Sequence, residues 1–165
     1  HTGRLKVLSQ LFPNAKFVHI VRNPYATFAS TMRLWKVLDE SQGLQIPHNR
    51  QLEEYVFDSY ERMYANFYSQ HAKLGGGRIQ DIRYEDLVRD PVTQLQKVYE
   101  NLQLGDFELV RDKIQKYSER SRGHRTNQHE LTGDVLDRIT ERWHLHFEKF
   151  GYLREDGRVS DSAVA

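Results

Sequence analysis

The sequence predicts a helix-rich α/β domain built on a parallel sheet. Two short β-rich runs, residues 16–21 and 78–84, each lead within a few residues to a helix start. The first of them, Phe17-Val18-His19-Ile20-Val21, is of the kind buried in a parallel sheet. Several long stretches with helical spacing separate and follow the two runs, as crossover connections require.

In chain order, residues 4–12 place Leu5, Leu8, Leu11 and Phe12 at helical spacing, and Pro13-Asn14 stop the pattern. The first strand follows and delivers Arg22 at its C-terminal end. Asn23-Pro24 then reads as a helix start, with Asn suited to the N-cap and Pro to the first turn. Tyr25, Phe28, Met32, Trp35 and Leu38 line one face of that helix. Residues 39–50, with Gly43 and Pro47, are expected to be a loop. A long amphipathic helix is expected over 51–73, where Leu52, Tyr55, Val56, Ser59, Tyr60, Met63, Tyr64 and Phe67 keep step with a helical face. Gly75, Gly76 and Gly77 end it. The second strand runs to Tyr84, Glu85-Asp86-Leu87 reads as a turn, and Asp90-Pro91 starts a helix reaching about Leu102. Further helices are expected over 106–119 and 131–149. Residues 1–153 thus form one domain, and the polar, aperiodic tail 154–165 is expected to be disordered. Trp35, Tyr60, Tyr64, Phe67, Trp143 and Phe147 are core candidates.

The composition excludes several functions. Of 165 residues, 38% are hydrophobic and 28% charged, which supports a packed core and argues against disorder. No apolar run approaches the roughly 18 residues a membrane span needs. Lys and Arg number 24 against 23 Asp and Glu, so any bound anion must be held by local groups rather than by a global field. With no cysteine, thiolate nucleophiles and Cys-based zinc sites are excluded, and a reducing, cytoplasmic setting is the expectation. His144 and His146, or His124 and His129, lack a coherent third ligand and read as ordinary histidines, so no metal is expected. The chain opens on His1-Thr2-Gly3-Arg4, without Met or a signal-peptide pattern, as though entered in mid-domain. Two strands are also few for such a sheet. Both features lead to the expectation of a fragment.

In open α/β sheets, ligands bind beyond the carboxyl ends of the strands. Arg22 stands at one such end, directly before a helix N-terminus that favours anions, and Ser30 lies eight residues further on. Tyr84, followed by Glu85-Asp86, stands at the other. Taken alone, Arg22 could equally pair with a surface carboxylate, and residues 83–86 could be a capping turn with local ion pairs.

Together, the two segments resemble a known family. The stretch Lys16-Phe17-Val18-His19-Ile20-Val21-Arg22-Asn23-Pro24, continued to Ser30, is similar to the 3′-phosphate-binding segment of sulfotransferases that use 3′-phosphoadenosine 5′-phosphosulfate (PAPS). Arg83-Tyr84-Glu85-Asp86-Leu87-Val88-Arg89-Asp90-Pro91 resembles that family's second recurrent segment. Leu11-Phe12-Pro13-Asn14-Ala15-Lys16-Phe17 is a phrase common in its bacterial and Golgi-type members. The resemblance covers about residues 1–152. It implies a P-loop NTPase-like sulfotransferase fold, with Arg22 and Ser30 on the 3′-phosphate of PAPS or its product PAP, and Tyr84 near the nucleotide. It also implies a C-terminal basic loop over that phosphate, and Arg120, Arg122, Gly123 and Arg125 lie in the corresponding region. A solvated helix end and loop is the competing reading of those four. His1 stands 21 residues before Arg22, close to the place of the histidine base in the cytosolic branch. Other branches use a Glu from the N-terminal region.

The chain departs from the family in the wording of that basic loop and, further, in its donor loop. No Gly-rich loop precedes a Lys-Ser or Lys-Thr, so the family's 5′-phosphosulfate loop is missing from the sequence. The sequence thus reads as the C-terminal part of a sulfotransferase, inactive alone, that serves sulfuryl transfer to a hydroxyl or amine acceptor without a metal. The acceptor could be a small molecule, a carbohydrate or a tyrosyl peptide; no nucleic acid is expected. Residues 39–50 and the helix over 51–73 are expected on the acceptor side. A non-catalytic PAP-binding or interaction domain is the alternative, and a P-loop nucleotide kinase-like enzyme a weaker one.

Overall fold

A computed structural model describes residues 2–43, 51–75, 77–121, 128–152 and 158–160. The chain divides into two compact units, His1–Arg22 with Asn66–Thr126 and Ser162–Ala165, and Asn23–Ala65 with Asn127–Asp161.

The first unit is built on a parallel pair of strands. After a single 3-10 turn, α1 (Leu5–Leu11) precedes β1 (Phe17–Val21), which pairs in parallel with β2 (Ile79–Arg83). The register sets Phe17 opposite Ile79 and Val21 opposite Arg83, so both strands finish at the same level. Lys16 Nζ donates to the Gly77 carbonyl at 2.7 Å, tying the entry of β1 to the turn before β2. Gly75 and Gly77 sit at φ +73° and +77°, a conformation only glycine adopts without strain, and this lets the chain reverse into β2. The helices α4 (Tyr84–Arg89), α5 (Pro91–Leu102) and α6 (Glu108–Ser121) follow. Ile82, Val98 and Leu102, with Leu87 against them, form the apolar centre that seats α4 and α5 on β2.

The expected turn after β2 is the helix α4. Its acidic first turn, Glu85 and Asp86, and basic last residue, Arg89, match the helix dipole, and Arg89 closes an ion pair on Asp86 three residues back.

The second unit is mainly helical, with one short antiparallel strand pair. Asn23 caps α2 (Pro24–Gln42), its side chain accepting from Tyr25 N at 2.9 Å, and Pro24 occupies the first turn. α2 runs four residues into the expected loop and stops at Gly43; residues 44–50 lie outside the described residues. α3 (Leu52–His71) spans the expected long helix and supplies its first part to this unit. The expected continuous helix over 131–149 is two, α7 (Gly133–Arg142) and α8 (His144–Phe150), broken at Trp143 (φ −108°, ψ 20°). The break follows from packing. The Trp143 indole stacks on Tyr60 at 3.8 Å and meets Phe28 and Phe57 edge-on, and that placement overrides the helical periodicity. Arg142 adds an ionic clasp to α3, with Nε 2.7 Å from Glu61 and its terminal nitrogens 2.7 and 2.8 Å from Asp58 and Glu54.

Within the polar tail 154–165, three residues take part in regular structure. Arg158–Ser160 forms β4, paired antiparallel with β3 (Gln128–Glu130). Such a bridge depends on backbone pairing with a distant segment, so local periodicity carries no sign of it. The rest of that tail lies outside the described residues. Of the core candidates, Tyr60, Tyr64, Phe67, Trp143 and Phe147 are buried, whereas Trp35 is half-buried and meets Tyr55 edge-on.

Candidate functional site

The coincident ends of β1 and β2 decide where the two sequence segments meet. Because Val21 and Arg83 are register partners, the next residues on each chain, Arg22 and Tyr84, leave the pair side by side. The Arg22 guanidinium lies over the Tyr84 ring, 4.8 Å from its centroid. Both side chains are half-buried, which strengthens the cation–π attraction relative to a fully solvated pair. The ring supports the flat face of the guanidinium, whose N–H donors lie around its edge. That geometry suits a bidentate oxyanion. β1 reaches this point through the buried Val21, and β2 through the buried Ile82.

The other expected site residues are distributed as follows. Ser30 is half-buried near the end of the second turn of α2, in the second unit. Arg120 is exposed in the last turn of α6. His1, Arg122, Gly123 and Arg125 lie outside the described residues. Along α3, expected to face the acceptor, Phe57, Tyr60, Tyr64 and Phe67 are spent in packing, and Tyr55 is exposed.

One polar cluster was not legible in the sequence. Midway along the strands, Asp81 Oδ1 is 2.8 Å from His19 Nδ1, and Asp81 Oδ2 is 3.0 Å from Nε2 of His71, the last residue of α3. An ionised carboxylate only accepts, so each imidazole donates its N–H to it. His19 is buried against the Phe67 ring, with centroids 4.1 Å apart. Burial pushes the Asp81 carboxyl up. The hydrogen bond from His19 and the charge His71 carries when protonated outweigh that and hold the carboxyl below its ordinary value. The cluster cross-links β1, β2 and the end of α3, with His19 three residues before Arg22 along the chain. Facing residues on paired strands are a register property, and the sequence does not state register.

Among the described residues there is no group of three or more His, Asp or Glu side chains able to hold a metal ion. Among them, too, no helix is long and apolar enough to cross a membrane.

A family model described as the sulfotransferase family matches residues 1–109. The chain is 36% identical over 154 residues to the omega-hydroxy-beta-dihydromenaquinone-9 sulfotransferase Stf3 of Mycobacterium bovis and of Mycobacterium tuberculosis. The match covers 93% of the chain and 40% of each relative, so the chain spans well under half the length of these curated relatives. Among solved structures, the sulfotransferase STF9 from Mycobacterium avium superposes with a TM-score of 0.76 at 15% identity, over 94% of this chain and 41% of that one. At that identity the likeness concerns the fold.

Proposed function

The chain belongs to the sulfotransferase family, and from that premise we propose that it serves sulfuryl transfer from PAPS to a hydroxyl acceptor by holding the 3′-phosphate end of the donor. The observation that carries this reading is the meeting of Arg22 and Tyr84 at the level where β1 and β2 both end. That position lies outside the carboxyl ends of parallel strands, where α/β sheets take their ligands. Arg22 supplies charge and a planar fork of donors to the phosphate, and Tyr84 holds the guanidinium plane and borders the nucleotide. The family pattern assigns Ser30 to the same phosphate as a hydroxyl donor, and Arg120, Arg122, Gly123 and Arg125 to a basic loop that would cover it.

The reaction itself is an in-line displacement at sulfur. The acceptor oxygen forms a bond to sulfur while the bond from sulfur to the 5′-phosphate oxygen breaks, and PAP leaves. The acceptor proton passes to a base, and His1 is the residue of this chain that the family pattern offers for that role. Neither step calls for a metal. A hydroxyl acceptor finds support in the relatives at 36% identity, whose name specifies an omega-hydroxy compound.

The test uses 3′,5′-bisphosphoadenosine, with AMP as control, in isothermal titration. The bisphosphate should bind more tightly than AMP. A hydrogen bond to a charged group is worth about 1.5–3 kcal/mol, so Arg22→Ala should weaken bisphosphate binding about 10- to 150-fold. Ser30→Ala should cost about tenfold or less, because a neutral hydroxyl contributes ~0.5–1.5 kcal/mol. Equal affinity of the parent chain for the two ligands would overturn the assignment.

A further inference from the structure

The most exposed large apolar side chains of the described chain are Leu109 (77%) and Tyr117 (74%), and both belong to α6. They lie eight residues apart, so at 3.6 residues per turn they fall on one side of the helix, about 12 Å from each other along its axis. Lys113, Lys116 and Arg120 share that side, all exposed, within a sector of about 100°. The sector holds three cations and no carboxylate. Glu108, Asp112 and Glu119 lie on the adjoining flank, where Glu108 is engaged by Arg111 at 2.6 and 2.8 Å. Among the described residues no ion pair holds any of the three cations.

A helix face that pairs exposed Leu and Tyr with unpaired lysines is poorly matched to water and well matched to the boundary of an anionic bilayer. There the apolar side chains enter the headgroup region, while the long cationic side chains extend to lipid phosphates. We propose that this face of α6 docks on anionic phospholipid membranes. Charge complementarity selects this occupant, because an uncharged apolar partner would gain nothing from three cations and would have to desolvate them. The surface rests on Leu109, Lys113, Lys116 and Tyr117, and stands independently of the donor reading, which claims Arg120. Its consequence, that the hydroxyl acceptor is taken from a bilayer, rests on that reading.

The experiment is co-sedimentation of the 165-residue chain with vesicles of phosphatidylcholine alone, and with phosphatidylcholine containing phosphatidylglycerol. Binding should require the anionic lipid and should weaken steeply with added salt. Each lysine near such a surface is worth about fivefold in partitioning. Lys113→Glu with Lys116→Glu should therefore reduce binding by at least about tenfold. Leu109→Ser with Tyr117→Ser should reduce it while leaving its salt dependence in place. Arg120 is kept out of the test because it is assigned to the donor. Circular dichroism and bisphosphoadenosine titration on the same variants should be unchanged, which separates this surface from the donor site. Sedimentation with neither vesicle, equal sedimentation with both, or indifference to all four substitutions would each overturn the proposal. A parent chain that binds anionic vesicles but does not prefer bisphosphoadenosine over AMP would count against the donor assignment and not against this one.

Discussion

At the scale of single residues, the pair of Arg22 and Tyr84 makes a specific demand. If the ring works by supporting the guanidinium, what matters is its face and not its hydroxyl. Tyr84→Phe should therefore keep bisphosphoadenosine affinity within about twofold. Tyr84→Ala removes a cation–π contact worth ~0.5–2 kcal/mol and should weaken binding about 2- to 30-fold, less than Arg22→Ala. Titration of the three variants side by side checks the order. A Tyr84→Phe variant as weak as Tyr84→Ala would mean that the hydroxyl, and not the ring, is what the site uses.

At the scale of elements, the Asp81 cluster links two strands and a helix, and its contribution to stability depends on ionisation. The folded carboxyl is held below its ordinary value of 3.8. Its stabilisation is thus complete above about pH 4 and is lost as pH falls through the folded value. Asp81→Asn should lower the stability of the first unit at neutral pH, and the gap from the parent should narrow below about pH 4. Urea unfolding between pH 3 and 7 measures it, and a gap unchanged down to pH 3 would exclude the ionised carboxylate as the cause. What the sequence disclosed about these elements follows a physical line. Signals encoded locally were readable: Asn23-Pro24 as a helix start, the periodic face of α3, and Arg22 and Tyr84 as the residues that leave two strands. Signals that depend on partners were not. His19, His71 and Asp81 carry no shared motif and meet only once the register is set. Trp143 looks like one more residue of a helix until its stacking on Tyr60 breaks that helix. Three residues at 158–160 become a strand only through 128–130.

At the scale of the whole molecule, the residues assigned to the donor would account for its binding and would not by themselves supply the chemical step. Sulfuryl transfer spreads negative charge over the sulfuryl oxygens and the bridging oxygen, and acceleration comes from donors already aimed at those atoms. Arg22, Tyr84 and Ser30 are assigned to the 3′-phosphate, at the far end of the donor from sulfur. Contacts there favour bound substrate and transition state alike, so they raise affinity without lowering the barrier between the two. None of the 165 residues forms a Gly-rich segment running into Lys-Ser or Lys-Thr, the arrangement that would surround the 5′-phosphosulfate with backbone N–H groups. Losing a single oxyanion donor costs enzymes about 10²–10³ in rate, and here a whole cradle is lacking from the sequence. The 165-residue chain should therefore bind bisphosphoadenosine and yet transfer no sulfuryl group from labelled PAPS to phenol, sugar or prenyl-alcohol acceptors above the uncatalysed rate. Adding magnesium or a chelator should leave both the binding and the lack of transfer as they are. Steady turnover by this chain would relocate the chemistry to groups here given lesser parts, with His1 and the basic residues 120–125 the first to substitute.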